Sequence, residues 1–288
     1  MFFNRVKTFI LLVSLSLLLI FLGNLFGGHT GMQFAFVFAL IINGIAYFFS
    51  DKIVLKLYRA QPLDQIEYDW IYSTVRQLSK AMHIPMPKLW IVNSPMANAF
   101  ATGRNPKHAS VAITSGIIEI LDKDELTGVL AHELSHVKNR DILIATIAAT
   151  IATTISYLAS MIRWTAFWGG SRRRGSSPIV LLVVSILMPI AALLIQLAIS
   201  RSREYMADET GAHYSNDPLA LASALEKLHN SSRYTRSQVK SAGKESTAHM
   251  FIVHPFASKG LISLFSTHPS VEKRIERLKQ MYEKKFGI

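Results

Sequence analysis

Two nearly uncharged apolar runs, Thr8 to Phe26 and Met32 to Phe49, open the chain, joined by the short segment Gly27 to Gly31. Each is close to the length that crosses a bilayer, so together they predict a transmembrane hairpin. Arg5 and Lys7 ahead of the first run also suit a secretory signal. No small-residue cleavage pattern follows, however, and a second run comes at once, which favours an uncleaved anchor. Residues 51 to 141 then mix polar and apolar positions. The spacing predicts an amphipathic helix over Ile66 to Met82 and short extended segments at Lys88 to Asn93 and Ser110 to Thr114. The turn-rich Gly103-Arg104-Asn105-Pro106 separates the extended segments, giving a small β element. A further helix runs from about Glu125 through His136 to Arg140, with Asp122 or Asp124 as its cap.

Two more apolar runs follow, Ile142 to Ile162 and Pro178 to Ser200. The first is rich in Ala, Thr and Ser, which allow close helix packing, and the second carries Pro189 as a kink, so they predict a second hairpin. Residues 201 to 288 read as helices over Ser202 to Tyr214, Pro218 to Asn230 and Ser270 to Lys285, with the polar, basic stretch Ser231 to Ser246 as a mobile loop. The resulting organisation is a transmembrane hairpin over 1–50, a first soluble part over 51–141, a second apolar hairpin over 142–200 and a second soluble part over 201–288.

Composition agrees with a membrane protein: half of the residues are hydrophobic, 17% are charged, and the mean hydropathy is +0.27. The net charge of +12 is spread over termini and loops. Basic residues meeting anionic lipid explain that better than nucleic-acid binding, which is excluded from the reading. Arg5 and Lys7 on one side, and Lys52, Lys56 and Arg59 on the other, bracket a connecting loop that has no Lys or Arg. By the positive-inside rule the N-terminus and residue 51 onward face the cytoplasm. Arg163 and Arg172-Arg173-Arg174 conflict with that rule if the second hairpin spans fully, and a partly inserted hairpin stays open. There is no cysteine, so any metal must be held by His and carboxylates.

The chemistry lies in His132-Glu133-Leu134-Ser135-His136. Four residues apart on a helix, the two imidazoles project from one face and can fill two corners of a tetrahedral zinc site, while Glu133 meets the water that the metal activates. The same residues could instead be solvated or core side chains of an amphipathic helix. A catalytic zinc needs a third protein ligand. Glu204, just past the fourth apolar run, is the best candidate, because a hairpin between the runs returns it to the motif helix, and Asp208 shares its helix face. Asp208 then suits the free ring N–H of a ligand histidine, against the alternative of an ordinary surface carboxylate. His29, His83, His108, His213, His229, His249 and His254 have no competing ligand spacing and read as surface or packing residues.

Four blocks in order carry a more specific resemblance: Asn98-Ala99-Phe100-Ala101-Thr102-Gly103, Leu130 to His136, Glu204 to Asp208, and Ser266-Thr267-His268-Pro269 leading into Arg274, Ile275 and Leu278. The chain resembles HtpX-type membrane zinc metalloproteases, within the larger family that includes the CaaX prenyl-protein proteases. That resemblance implies one Zn2+ per chain bound by His132, His136 and Glu204, Glu133 as the catalytic glutamate, and Asp208 as the outer partner of a ligand histidine. His268 is left as an additional resting ligand, an oxyanion stabiliser or a helix cap. The implied fold is mainly α: an integral membrane protein with four apolar helices and a mostly helical, gluzincin-like protease domain carrying a small β element.

The implied location is the bacterial inner (cytoplasmic) membrane, multi-pass, with the active site facing the cytoplasm. Damaged or misfolded membrane proteins and unfolded polypeptides are the implied substrates, in quality control under stress. A processing enzyme for one peptide class and a non-catalytic membrane scaffold with structural zinc are the alternatives. Asn98 to Thr114 offers either an edge strand for an extended substrate or a purely structural hairpin.

Overall fold

The computed structural model describes residues 2–144, 146–147, 201–241 and 270–287. The third apolar run beyond residue 147, the fourth, the Arg172-Arg173-Arg174 loop, His249, His254 and His268 lie outside the described residues.

The N-terminal apolar region is one long helix, α1 (Phe2–Leu57), broken once at Gly28. There φ is 58° and ψ −148°, a backbone conformation that costs glycine little and an L side chain a great deal. The two arms fold back on each other: Asn43 Nδ2 donates to Leu12 O at 3.3 Å and to Ser16 Oγ at 2.7 Å. The expected Gly27 to Gly31 loop is thus shortened to a break at one glycine. Among the described residues, Gly28–Phe49 is the helix long and apolar enough to cross a membrane, and Leu12–Phe21 is a shorter apolar stretch.

Beyond the membrane arm, β1 (Gln61–Pro62) leads into α2 (Asp69–Ala81). This helix starts later than its apolar spacing suggests. The Asp64 carboxylate takes the N–H groups of Ile66 at 2.8 Å and Glu67 at 3.0 Å, closing a turn ahead of it. Strands β2 (Lys88–Val92), β3 (Ala99–Gly103) and β4 (Ala109–Thr114) follow, then α3 (Ser115–Ile120) and α4 (Lys123–Lys138). The described C-terminal part contains α5 (Arg201–Ser215), α6 (Pro218–Ser241) and α7 (Val271–Phe286). Residues 231–241, expected as loop, continue α6. They hold no Pro or Gly before Gly243, so nothing local stops the helix.

The sheet order is β1-β2-β4-β3, with β2 and β4 parallel and β3 antiparallel to β4 at the edge. Alternation sorts its side chains onto two faces. Leu89, Ala99, Ala101, Val111 and Ile113 join the helical core, whereas Val92, Phe100 and Ala112 pack on Val54 and Leu55 of α1 and on Tyr58 just after it. The sheet therefore sits against the helix turn that follows the apolar span, close to the membrane arm.

Helix α4 runs through the centre of the helical core. Its start is fixed by a capping box, in which Asp122 Oδ1 accepts Glu125 N–H and Glu125 Oε2 accepts Asp122 N–H. Asp122, of the two candidates, is the cap. Glu125 also accepts from Ser223 and Lys227 of α6, tying the helix start to its neighbour. Leu126, Leu130 and Leu134 are fully buried, each stabilising the fold by about 1.5–3 kcal/mol. Helix α5 crosses closely because of Gly211, where a Cβ would lie 2.9 Å from His132 N. The motif helix is therefore a core element, and side chains it presents have little freedom to shift.

Candidate metal centre

His132 and His136 stand one turn apart on α4 and converge with Glu204, from the first turn of α5. Their Nε2 atoms are 3.2 Å apart, His132 Nε2 is 3.8 Å from Glu204 Oε2, and His136 Nε2 is 3.8 Å from Glu204 Oε1. One donor atom from each of the three lies within 4.8 Å of the others, a spacing that could hold a metal ion. The donor chemistry fits: two imidazoles and one carboxylate suit zinc, with a fourth position left for water or substrate. The alternative of two histidines merely solvated on a helix surface is set aside, since His132 is 1% exposed.

Each imidazole has a carboxylate behind it. His132 Nδ1 lies 2.9 Å from Asp208 Oδ1, and His136 Nδ1 lies 3.1 Å from Asp141 Oδ2. Asp208 is in turn held by Arg274 of α7, whose Nε and Nη2 donate to its two oxygens at 2.7 and 2.6 Å. Burial alone would raise the Asp208 carboxyl, but the Arg274 charge and hydrogen bonds bring it below the ordinary carboxylate value. For His136, burial opposes a charge, yet Asp141, Glu204 and Glu133 push its pKa up to about 10. The carboxylates of Asp141, Glu204 and Glu133 thus favour positive charge at this cluster.

Glu133, 5% exposed, sits between this cluster and the sheet. Its Oε2 accepts the Ala101 N–H of edge strand β3 at 2.8 Å. Burial raises its pKa above the usual glutamate value, and the neighbouring histidines offset part of that rise. A carboxyl poised in this way can take up and give back a proton.

The structure brings together His132, Glu133, His136, Glu204 and Asp208, all expected from the sequence. It adds Asp141, Arg274 as the partner of Asp208, and Ala101. Asp141 carried a readable signal in the spacing His136-x4-Asp141 just past the helix end. Arg274 carried none of its role, because 66 residues separate it from Asp208. Within Asn98 to Thr114, β3 and β4 form a hairpin, and β3 lies at the sheet edge facing Glu133. Of the other described histidines, His29, His83, His108 and His213 are exposed and His229 is partly buried.

Residues 65–282 match the sequence profile of Peptidase family M48. The chain belongs to that family. The M48 chain is 51% identical over 283 residues to the protein called Protease HtpX homolog in Syntrophobacter fumaroxidans, covering 96% of this chain and 99% of that one. It is 49% identical over 282 residues to Protease HtpX homolog of Thermococcus sibiricus, covering 96% of each. The HtpX-type resemblance carried by the four sequence blocks therefore stands. Among solved structures, S. mikatae Ste24p aligns with a TM-score of 0.50 at 19% identity, covering 96% of this chain. The M48 chain spans 65% of the length of that structure, and the likeness shows a shared fold. Family membership and the His132–His136–Glu204 cluster together make this chain a metalloprotease, and its Gly28–Phe49 helix gives it a membrane element.

Proposed function

We propose that this chain is a membrane zinc endopeptidase that hydrolyses damaged or misfolded membrane proteins and their unfolded segments, with its catalytic domain on the cytoplasmic side of a bacterial inner membrane. The observation that carries the reading is the convergence of His132, His136 and Glu204 within 4.8 Å beside a buried Glu133. The packing of the sheet on Val54, Leu55 and Tyr58 supports a membrane-proximal site, because those residues follow the apolar span ending at Phe49 by only one to three helical turns.

In this reading His132, His136 and Glu204 hold one zinc per chain. Zinc, when bound, polarises the scissile carbonyl and makes water a better nucleophile at neutral pH. Glu133 takes the proton of the attacking water and passes it to the leaving amine, which its raised pKa favours. Asp208, 2.9 Å from His132 Nδ1, would take a hydrogen bond from that nitrogen's N–H and so fix which nitrogen faces the metal, while Arg274 keeps Asp208 ionised. Strand β3 lies at an edge of the described sheet beside Glu133, and an extended peptide added there would be read by its main chain more than by its side chains.

The test is purification of the full chain and of Glu133→Gln, with metal analysis and digestion of casein and several unrelated membrane proteins. The variant is expected to keep its zinc and lose activity by about 10²–10⁴-fold. Full activity in Glu133→Gln would refute the peptidase mechanism. Cleavage of a single peptide class would replace broad quality control with specific processing.

A further inference from the structure

The end of the motif helix is built in an unusual way. Lys138 is its last residue, Asn139 remains in the right-handed region, and Arg140 turns to φ 57°. Asp141 N–H then reaches back to His136 O at 3.2 Å, and Arg140 N–H reaches Val137 O, also at 3.2 Å. These are the paired closures of a Schellman motif, with arginine where glycine would avoid the steric cost of the left-handed turn. Their consequence is local. The turn brings the residue five positions after His136 back beneath its imidazole, so that Asp141 Oδ2 meets His136 Nδ1 at 3.1 Å.

Asp141 is 5% exposed, and its other oxygen, Oδ1, is buried with no hydrogen-bond partner among the described residues. A carboxylate buried for fold stability alone would be expected to fill both oxygens. Arg203, beside Glu204 on α5, feels the charge of both Asp141 and Glu204. The segment that follows is also fixed: Ile142 and Ile144 are buried, and the Thr146 hydroxyl meets Thr102 Oγ1 at 3.1 Å and Gly103 N–H at 3.4 Å on β3. The carboxylate is thereby held from the helix side and from the sheet side.

We propose that Asp141 is the positioning residue for His136, set under the ring by the left-handed turn at Arg140, and that it governs how firmly this site retains its metal. The inference rests on His136 being a ligand. Asp141 orients the imidazole so that Nε2 faces Glu204, and strengthens it as a donor through the Nδ1 proton. In the sequence the device is written as the spacing from His136 to Asp141 together with a helix stop two residues after the ligand.

The experiment uses the full chain purified in detergent and loaded with zinc, with zinc release into a colorimetric chelator as the readout. Asp141→Asn and Asp141→Ala are expected to release zinc about 10–100-fold faster than wild type, with kcat lowered and KM unchanged. Asp141→Glu, which keeps the charge, should recover part of the loss. Arg140→Val leaves Asp141 intact but disfavours the left-handed turn, and should also speed zinc release. Wild-type release rates in Asp141→Asn, or a fall only in metal-free stability, would overturn the proposal. His136→Ala is the control on the reading beneath it. If that variant held zinc like wild type, the ligand assignment would fail, whereas a defect in His136→Ala with none in Asp141→Asn would sink the positioning role alone.

Discussion

Replacing Arg274 with methionine strips the cation from a buried carboxylate while keeping most of the side-chain volume. Arg274 is 1% exposed and Asp208 4%, and two short hydrogen bonds at 2.6 and 2.7 Å join them in a bidentate geometry. Glu204 lies 3.9 Å from the same guanidinium. Loss of one partner of such a pair strands the other charge away from water, at a cost of about 3–5 kcal/mol. For a domain of this size that corresponds to a fall in melting temperature of about 6–20 °C.

The penalty has a pH sign. In the wild type the Asp208 carboxyl titrates below its ordinary value of 3.8, so its pairing stabilises the fold above that value and the stabilisation is lost as pH drops through the lower, folded-state pKa. In Arg274→Met burial acts on Asp208 with its main opponent removed, the carboxyl titrates higher, and protonation in mild acid relieves part of the cost. Thermal unfolding at neutral and mildly acidic pH, for Arg274→Met, Asp208→Asn and the double variant, measures this directly. The double variant should be more stable than Arg274→Met alone, since Asp208 is then no longer a stranded charge. Strict additivity of the two single changes, at neutral pH, would refute the reasoning.

Three further outcomes are expected. Ala101→Pro removes the N–H that Glu133 accepts and blocks an outward backbone donor of β3, so peptide cleavage should fall while zinc content stays normal; loss of zinc would show misfolding instead. Gly211→Val forces side-chain atoms against the His132 backbone and should destabilise the chain by about 1–3 kcal/mol, with faster zinc loss as Glu204 shifts, measured by melting and metal retention. Removing zinc with a chelator should lower the melting temperature and restoring it should reverse this, the stabilisation reaching about 4 kcal/mol at a thousandfold excess over Kd; a melting curve indifferent to zinc would count against a bound metal in the core.

Much of the site could be read from the chain because its chemistry is local. His132, Glu133 and His136 are spaced by the period of one helix, and Asp122 with Glu125 writes a helix start in four residues. Strand β3 was harder to see. In Ala99-Phe100-Ala101-Thr102-Gly103 only Phe100 and Thr102 favour a strand, and the segment is one because β4 pairs with it and Glu133 closes on its edge.

The sequence by itself determined the apolar hairpin, the motif helix and the kind of metal its donors suit, since each follows from residue type and spacing within a few turns. The tertiary structure decided which distant charges complete the site. Arg274 meets Asp208 across 66 residues, and Asp141 serves His136 because the chain turns left-handed at Arg140. Hydrophobic period says which face of an element is buried and nothing about which buried charge will face it. That choice is made by packing, where an ion finds its partner or the arrangement is not stable.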